Sequence, residues 1–234
     1  MTQALHILSA GAAKGLVQAL QPAFAAAHDV RFEAQFGAVG AMRDRLLAGD
    51  RCDLVILSAT LIDGLLREGR VNRDSIAAIG DVETGIAVPS GARVPRVDDA
   101  TSLRDVLSAA RGIYLPDPEK ATAGIHFANV LRKLGIYDAV RARLRPYPNG
   151  ATAMRAMADA GDSELIGCTQ VTEIRYTQGV ILVDVLPEEF SLKTTYSLAV
   201  SATAREPALA RSFAATIIGA KARALREEGG FSAA

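Results

Sequence analysis

The chain has 234 residues, half of them hydrophobic, and its 26 basic side chains balance its 26 acidic ones. This length suits one large domain or two small ones, and zero net charge argues against binding nucleic acid or anionic membranes through a basic surface. Aromatic residues are only 5% of the chain and Trp is absent, so stacking platforms for sugars or bases are not expected.

Cysteine and histidine usage gives no sign of a metal or a cofactor. We expect Cys52 and Cys168 to be buried thiols rather than a disulfide, because Cys behaves as a small hydrophobe. The three His and two Cys residues show no metal-ligand spacing, so neither a bound metal nor a cofactor is expected.

The N-terminus leaves two alternatives for the compartment. No basic segment followed by a long apolar one precedes the apolar run at 5–8, so a signal peptide is not visible. No run approaches the roughly 18 apolar residues that cross a bilayer. We therefore expect either a cytoplasmic protein or a trimmed, mature periplasmic form, not embedded in a membrane.

The first third of the chain alternates short apolar runs with helical periods. The pattern predicts strands at 5–8, 30–36 and 53–57 and helices at 14–27, 40–48 and 61–68. This alternation of strands and helices predicts a parallel sheet with right-handed crossovers.

The remainder of the chain continues the alternation. It predicts strands at 82–88, 113–115, 165–168, 180–186 and 195–201 and helices at 103–110, 125–134, 152–160, 171–176 and 208–227. Two sheets of about five strands each suit this count better than one sheet of ten, with short polar crossing points at 81–85 and 193–196. We therefore predict an α/β protein with two Rossmann-like lobes, residues 1–82 with 196–234 and residues 83–195.

The segment 112–126 predicts an anion-binding site. A short apolar run ends at two prolines, and the small polar loop at 120–124 then leads into a helix. The first N–H groups of a helix have no intrahelical acceptor, and the helix dipole favours negative charge there. The resulting candidates are Lys120, Thr122 and Ala123, although Thr122 could serve only as an N-cap.

The carboxyl ends of the other parallel strands supply further candidates, since open α/β sheets bind ligands there. Small or polar residues at these ends are predicted to contact the ligand: Ser9, Gly11, Ala12, Val39, Gly40, Ser58, Asn149, Gly150, Thr169 and Gln170. Local structural roles also fit these patterns. Ser58 suits a helix cap, and Thr169 with Gln170 suits a polar cap on the short helix at 171–176.

Several of these motifs resemble one family. They are Asp117-Pro118, Ala123-Gly124-Ile125, Leu131-Arg-Lys-Leu-Gly135, and Gly49 with Asp53-Leu54-Val55 and Ser58-Ala59. The combination resembles the molybdate-binding members of the type II periplasmic binding proteins, over nearly the whole chain. The resemblance implies two α/β lobes joined by two hinge strands, a ligand in the cleft, and hinge closure on that ligand. It also implies a monomer that delivers its solute to an ABC-type transporter, with no nucleic-acid partner.

Three side chains depart from the pattern of this family. Its molybdate sites use hydroxyls in the first and second loops and a Tyr near a strand of the second lobe, and these positions fall at Ala12, Val39 and Thr169. Backbone N–H groups of Ala12, Val39, Ala123 and Gly150 could still hold a tetrahedral oxyanion. Because the side-chain donors are missing, we expect a small organic di- or tricarboxylate in preference to a molybdate-like oxyanion.

Two other functions stay open. Some relatives on this scaffold resemble isomerases of unsaturated tricarboxylates such as aconitate, whose reaction needs a proton shuttle beside an anion-stabilising site. Lys14, Glu119 or His126 would then act as the base, although the sequence shows no nucleophile–base set and no paired carboxylates. The other alternative is an effector domain of a transcription regulator, but the chain has no helix-turn-helix segment and no basic arm.

Overall fold

The computed structural model describes residues 3–233, and the chain divides into two compact units. The first unit runs to Val82 and resumes at Thr194, whereas the second comprises Glu83–Lys193. The chain therefore passes from one unit to the other twice.

The first unit begins with three strands, each followed by a helix. These are β1 (Gln3–Ala10), α1 (Lys14–His28), β2 (Val30–Gly37), α2 (Val39–Leu47), β3 (Leu54–Ser58) and α3 (Ala59–Arg67). Strand β1 pairs in parallel with both β2 and β3. Strands β1 and β3 are buried along almost their whole length, as expected for inner strands of a parallel sheet, whereas β2 alternates between buried and solvent-facing residues.

Strand β4 (Ala77–Pro89) leads into the second unit, whose elements again alternate. They are α4 (Ala100–Ala109), β5 (Gly112–Pro116), α5 (Thr122–Lys133), α6 (Tyr137–Val140), β6 (Leu144–Tyr147), α7 (Gly150–Asp159), β7 (Leu165–Gln170), α8 (Val171–Arg175) and β8 (Val180–Val185). Strand β5 is parallel to β6 and β7, while β4 is antiparallel to β7 and β8. The carboxyl ends of β5, β6 and β7 therefore share one edge of the sheet.

The chain ends with β9 (Lys193–Val200), α9 (Pro207–Ile218) and α10 (Arg223–Gly229). The strand order is β2-β1-β3-β9-β4-β7-β5-β6, with β8 also paired to β4. The prediction of two separate five-stranded sheets is wrong in this respect, because the hydrogen-bonded strands form one path. The reason is that β4 has 13 residues, starts at Ala77 rather than at the predicted residue 82, and takes part in both units.

The predicted final helix at 208–227 is also wrong, because it breaks at Gly219. Helix α9 ends at Ile218, Gly219 is extended at φ −63° and ψ 160°, and a 3-10 turn follows at Ala220–Ala222. The Arg226 side chain donates to the carbonyls of Ile217 and Gly219. An arginine thus satisfies carbonyl groups that the end of a helix leaves without a partner.

Each unit has its own apolar core. In the first unit the ring centroids of Phe24 and Phe32 both lie 4.9 Å from that of Phe213, which packs α1, β2 and α9 together. In the second unit one cluster includes Leu103 and Phe127 of α4 and α5, and another is built from residues of α7 and α8. Within residues 3–233, no helix combines the length and apolar composition that crossing a membrane requires.

A buried carboxylate fixes the last third of the first unit to its first strands. Asp53 is fully buried, and its Oδ2 accepts the backbone N–H of His6 at 2.9 Å. Its Oδ1 accepts the N–H groups of Arg205 and Glu206 at 2.8 and 3.1 Å, just before α9 begins. Asp53 thereby links β1, β3 and the start of α9.

We expect Asp53→Ala to lower the free energy of unfolding by about 3 kcal/mol, because it leaves one buried and two partly buried N–H groups without their acceptor. Urea unfolding followed by circular dichroism measures the change. Asp63→Ala, which removes an exposed carboxylate from α3, is the matched control and should change stability by less than about 0.5 kcal/mol. Equal stability of the two variants would contradict this role of Asp53.

Candidate functional site

The first loop of the first unit passes directly from a buried strand into a helix. Strand β1 ends at Ala10, a buried 3-10 turn covers Gly11–Ala13, and α1 starts at Lys14. The Ser9 hydroxyl is buried and donates to the Ala10 carbonyl at 3.0 Å. Ser9 thus has a local partner, so the donors that this loop offers belong to the backbone.

The second and third loops of this unit repeat the arrangement. Val39 is the first residue of α2 and Gly40 the second, and Ala38 holds the N-cap position. Ser58 holds the N-cap position of α3, as its sequence allows, but its side chain makes no capping hydrogen bond. In the described chain, α1, α2 and α3 have neither a side-chain cap nor an acidic residue in the first turn.

In the second unit, the loop before α5 is organised by one aspartate. Asp117 Oδ1 accepts the N–H groups of Glu119 and Lys120 at 2.8 and 3.1 Å. The Asp117 carbonyl accepts the N–H of Ala121 at 3.1 Å. The side chains of Glu119 and Lys120 are exposed. Because their backbone N–H groups already bind Asp117, those groups are not available to a ligand.

Helix α5 begins one residue earlier than the N-cap assignment of Thr122 would allow. Ala121 is the N-cap, with an extended backbone and no side-chain cap, so Thr122 is the first helical residue. The first intrahelical bond runs from Ile125 to Ala121, which leaves Thr122, Ala123 and Gly124 as the residues whose N–H groups lack an intrahelical acceptor. Ala123 is buried and Thr122 is half-buried.

Gly124 brings this helix start against the end of β5. A Cβ atom at Gly124 would lie 2.2 Å from the carbonyl oxygen of Asp117 and 2.4 Å from that of Pro116. Both obstacles are backbone atoms, so they cannot rotate away as a side chain can. The close approach explains why position 124 at this junction is a glycine.

His126 has a structural partner in the same unit. Its Nε2 lies 2.7 Å from the carbonyl oxygen of Phe190, in the 3-10 turn Glu188–Phe190. This hydrogen bond holds the turn against α5. The proposed role of His126 as a base would require that bond to be given up.

The start of α7 differs from those of α1, α2, α3 and α5, because side chains of the protein itself satisfy it. Asn149 is the N-cap, and its Oδ1 accepts the N–H and the hydroxyl of Thr152 at 2.8 and 3.0 Å. A Cβ atom at Gly150 would lie 1.9 Å from Thr169 Oγ1 and 2.0 Å from Glu173 Oε2. Two polar side chains therefore fill the space beside Gly150.

Glu173 places a carboxylate at this helix start. It accepts a hydrogen bond from the Thr169 hydroxyl at 2.5 Å and others from the N–H groups of Gly150, Ala151 and Gln170. Burial raises the pKa of Glu173, and these four hydrogen bonds act to lower it. Gly150 and Thr169, which the sequence suggests as ligand donors, thus already have a partner within the chain, the Glu173 carboxyl group.

Glu173 is not among the site residues that the sequence predicts, although its position carries a local signal. Glu173 is the third residue of α8, whose N-cap is Gln170, and it accepts the N–H of that residue. A glutamate three residues after the N-cap is half of a capping box. Its hydrogen bonds with the N–H groups of Gly150 and Ala151, on another helix, cannot be predicted from the local sequence.

Gln170 is the most unusual polar residue of this region. It is only 2% exposed, and neither its Nε2 nor its Oε1 has a hydrogen-bond partner within the described residues. Buried amide groups are nearly always paired. Gln170 ends β7 at the edge where α5 and α7 begin, so its amide lies in the region that the sequence predicts to bind the ligand.

Other reactive groups give no catalytic centre. Burial raises the pKa of the Cys52 thiol to about 12 and also raises the pKa of Cys168, and both are free cysteines. Neither thiol can serve as a nucleophile at neutral pH. In the part of the chain that the structure describes, no group of three or more His, Cys, Asp or Glu residues could hold a metal ion.

Comparison with known proteins identifies the family and confirms the predicted fold. Residues 5–232 match the model of a family described as bacterial extracellular solute-binding protein. The periplasmic molybdate-binding protein of Azotobacter vinelandii superposes with a TM-score of 0.76 at 17% identity, covering 98% of this chain and 99% of that one. The sulfate-binding protein of Mycobacterium tuberculosis gives 0.72 at 20% identity, covering 98% and 86%. These likenesses confirm the type II periplasmic binding protein fold.

One relative of this chain is named as an enzyme. Aconitate isomerase from a Pseudomonas species is 25% identical over 214 residues, which are 89% of this chain and 79% of that protein. The similarity is too low to assign an activity to the chain, but it keeps the isomerase alternative open.

We expect Gly124→Ala to lower the free energy of unfolding by about 1–3 kcal/mol, because the new methyl group collides with two backbone carbonyls. Urea unfolding measures the loss. The matched control is Gly64→Ala in α3, where nothing lies within 4 Å of the added Cβ, and where alanine should add up to about 1 kcal/mol. A neutral Gly124→Ala would mean that the start of α5 is not pressed against β5.

Proposed function

Because the chain belongs to the bacterial extracellular solute-binding proteins, we propose that it captures a small organic di- or tricarboxylate and delivers it to an ABC-type transporter. The observation that carries this proposal is a set of helix starts without caps. The family description also supports a place outside the cytoplasm, which was one of the two compartments expected from the sequence.

The uncapped helix starts are the anion-binding groups of this proposal. Helices α2, α3 and α5, and the 3-10 turn at 11–13 that leads into α1, each follow a parallel strand, and in the described chain none has a side-chain cap or an acidic residue in its first turn. Their first N–H groups and their dipoles favour an anion. Helices α4 and α7, in contrast, are capped by Asp99 and Asn149. The open helix starts thus supply donors for a negatively charged solute.

The side chains at these positions favour a carboxylate over molybdate. Ala12 and Val39 stand where the resembled molybdate sites have hydroxyls, and Thr169 stands where they have a Tyr. The remaining donors of the second unit are reduced further, because the N–H of Gly150 and the hydroxyl of Thr169 bind Glu173. A compact tetrahedral dianion would lose several hydrogen bonds of roughly 0.5–1.5 kcal/mol each, whereas a longer carboxylate can reach donors that lie farther apart.

Isothermal titration calorimetry with molybdate, tungstate, malate and citrate tests this preference. We expect at least one carboxylate to bind tenfold or more tightly than either metalate, because the lost donors together amount to more than about 1.4 kcal/mol. Sub-micromolar molybdate binding with no heat from any carboxylate would overturn the proposal.

Removing one N–H group tests the start of α5. Thr122→Pro should leave the melting temperature unchanged, because proline is favoured at the first helical position and Ala121 before it is already extended, at φ −100° and ψ 132°. The loss of one charge-assisted hydrogen bond should lower carboxylate affinity by about tenfold. Ala100→Pro, at the first position of α4, is the matched control and should bind normally. Unchanged affinity in both variants would exclude the start of α5 from the site.

An isomerase is the second candidate function, because a relative with 25% identity carries that name. In this chain His126 is bound to Phe190, so Lys14 at the start of α1 and the exposed Glu119 are the remaining candidate bases. Proton NMR of aconitate incubated with the protein separates the two functions. Conversion between the aconitate isomers would favour the enzyme, and binding without conversion would favour the transport role.

A further inference from the structure

We infer that Gln170 recognises a hydroxyl group of the ligand and that Glu173 keeps a second oxyanion away from the start of α7, so that the solute is a hydroxylated carboxylic acid. This inference rests on the proposed function, since it names the substrate class of the same site. It assigns specificity to two residues, of which one was predicted to bind the ligand and the other was not.

The amide of Gln170 sets a chemical requirement. A glutamine side chain has two N–H donors and a carbonyl acceptor, and here both ends are buried without a partner among the described residues. An ionised carboxylate only accepts hydrogen bonds, so it would pair with Nε2 and leave Oε1 unsatisfied. A hydroxyl group can donate to Oε1 and accept from Nε2, so it also satisfies the Oε1 acceptor that a carboxylate leaves unpaired.

The strand register brings Gln170 level with the loop that leads into α5. Strands β5 and β7 are parallel neighbours, with Gly112 opposite Leu165 and Ile113 opposite Ile166. Continued at the same offset, the register places Asp117 opposite Gln170. Adjacent strands lie about 4.8 Å apart, so one small ligand can reach the α5 N–H groups and the region of Gln170 together.

Glu173 occupies donors that the charged end of the ligand would otherwise use. Its carboxylate already accepts the N–H groups of Gly150 and Ala151 and the hydroxyl of Thr169. An anion at this helix start would therefore find these donors already occupied and would have to displace the Glu173 carboxyl group. The ligand's carboxylate is therefore directed to α5, and its uncharged hydroxyl to Gln170.

Two pairs of acids that differ only in a hydroxyl group test the inference. They are malate with succinate, and citrate with tricarballylate. Calorimetric titration should show that the hydroxylated member binds the wild-type protein at least tenfold more tightly in one of the pairs, because an unpaired buried amide penalises the other member. Equal affinities within both pairs would overturn the inference, since Gln170 would then be satisfied by water instead.

Gln170→Met provides the decisive variant, because methionine has nearly the same shape and no polar atoms at this position. It should bind both members of a pair within about twofold of each other. Without ligand it should melt at or above the wild-type temperature, since the change removes two unpaired buried groups. Gln18→Met, at an exposed position of α1, should retain the wild-type preference. A Gln170→Met protein that keeps the full hydroxyl preference would overturn the inference.

Glu173→Ala tests this occupation of the donors. Removing the carboxyl group should improve the affinity for molybdate relative to malate by fivefold or more, because the N–H groups of Gly150 and Ala151 become available. An unchanged ratio would overturn the part assigned to Glu173. If carboxylates bind without regard to the hydroxyl, the inference fails while the proposed function stands. If no carboxylate binds the wild-type protein, both fail.

Discussion

The structure of this protein depends on how the backbone N–H groups at the starts of its helices are satisfied. Each must find an acceptor. Among the described residues, buried Asp53 provides one just before α9 begins, and buried Glu173 provides one at the start of α7. That carboxylate receives donors from α7, from the end of β7 and from the start of α8. In the described chain no side chain caps the starts of α2, α3 and α5, and our proposal is that a ligand binds their first N–H groups.

Some helix starts are satisfied within the chain and others are open, and in our proposal the open ones provide the donors for an anion. A chain with zero net charge can still bind an anion, because oriented dipoles rather than surface lysines provide the attraction. The buried thiols, the His126–Phe190 hydrogen bond and the capped α7 all belong to the scaffold. Under our proposal, backbone donors and one buried amide remain to recognise the solute.

Much of this architecture can be predicted from local sequence patterns. The junction of β5 and α5 follows from two prolines, small loop residues and a helical period, and the buried strands follow from continuous apolar runs. The role of Glu173 does not, because its partners at Gly150 and Ala151 come from a separate helix more than twenty residues away. The long β4 and the break at Gly219 also depend on tertiary pairing, through β9 for the strand and through Arg226 for the helix end.

A crystal structure of the protein bound to malate would show which helix start holds the ligand. We expect a ligand carboxylate within hydrogen-bond distance of the N–H groups of Thr122 and Ala123, the ligand hydroxyl on the Gln170 amide, and Glu173 still bound to Gly150. A ligand carboxylate on the N–H of Gly150, with Glu173 displaced from α7, would contradict it.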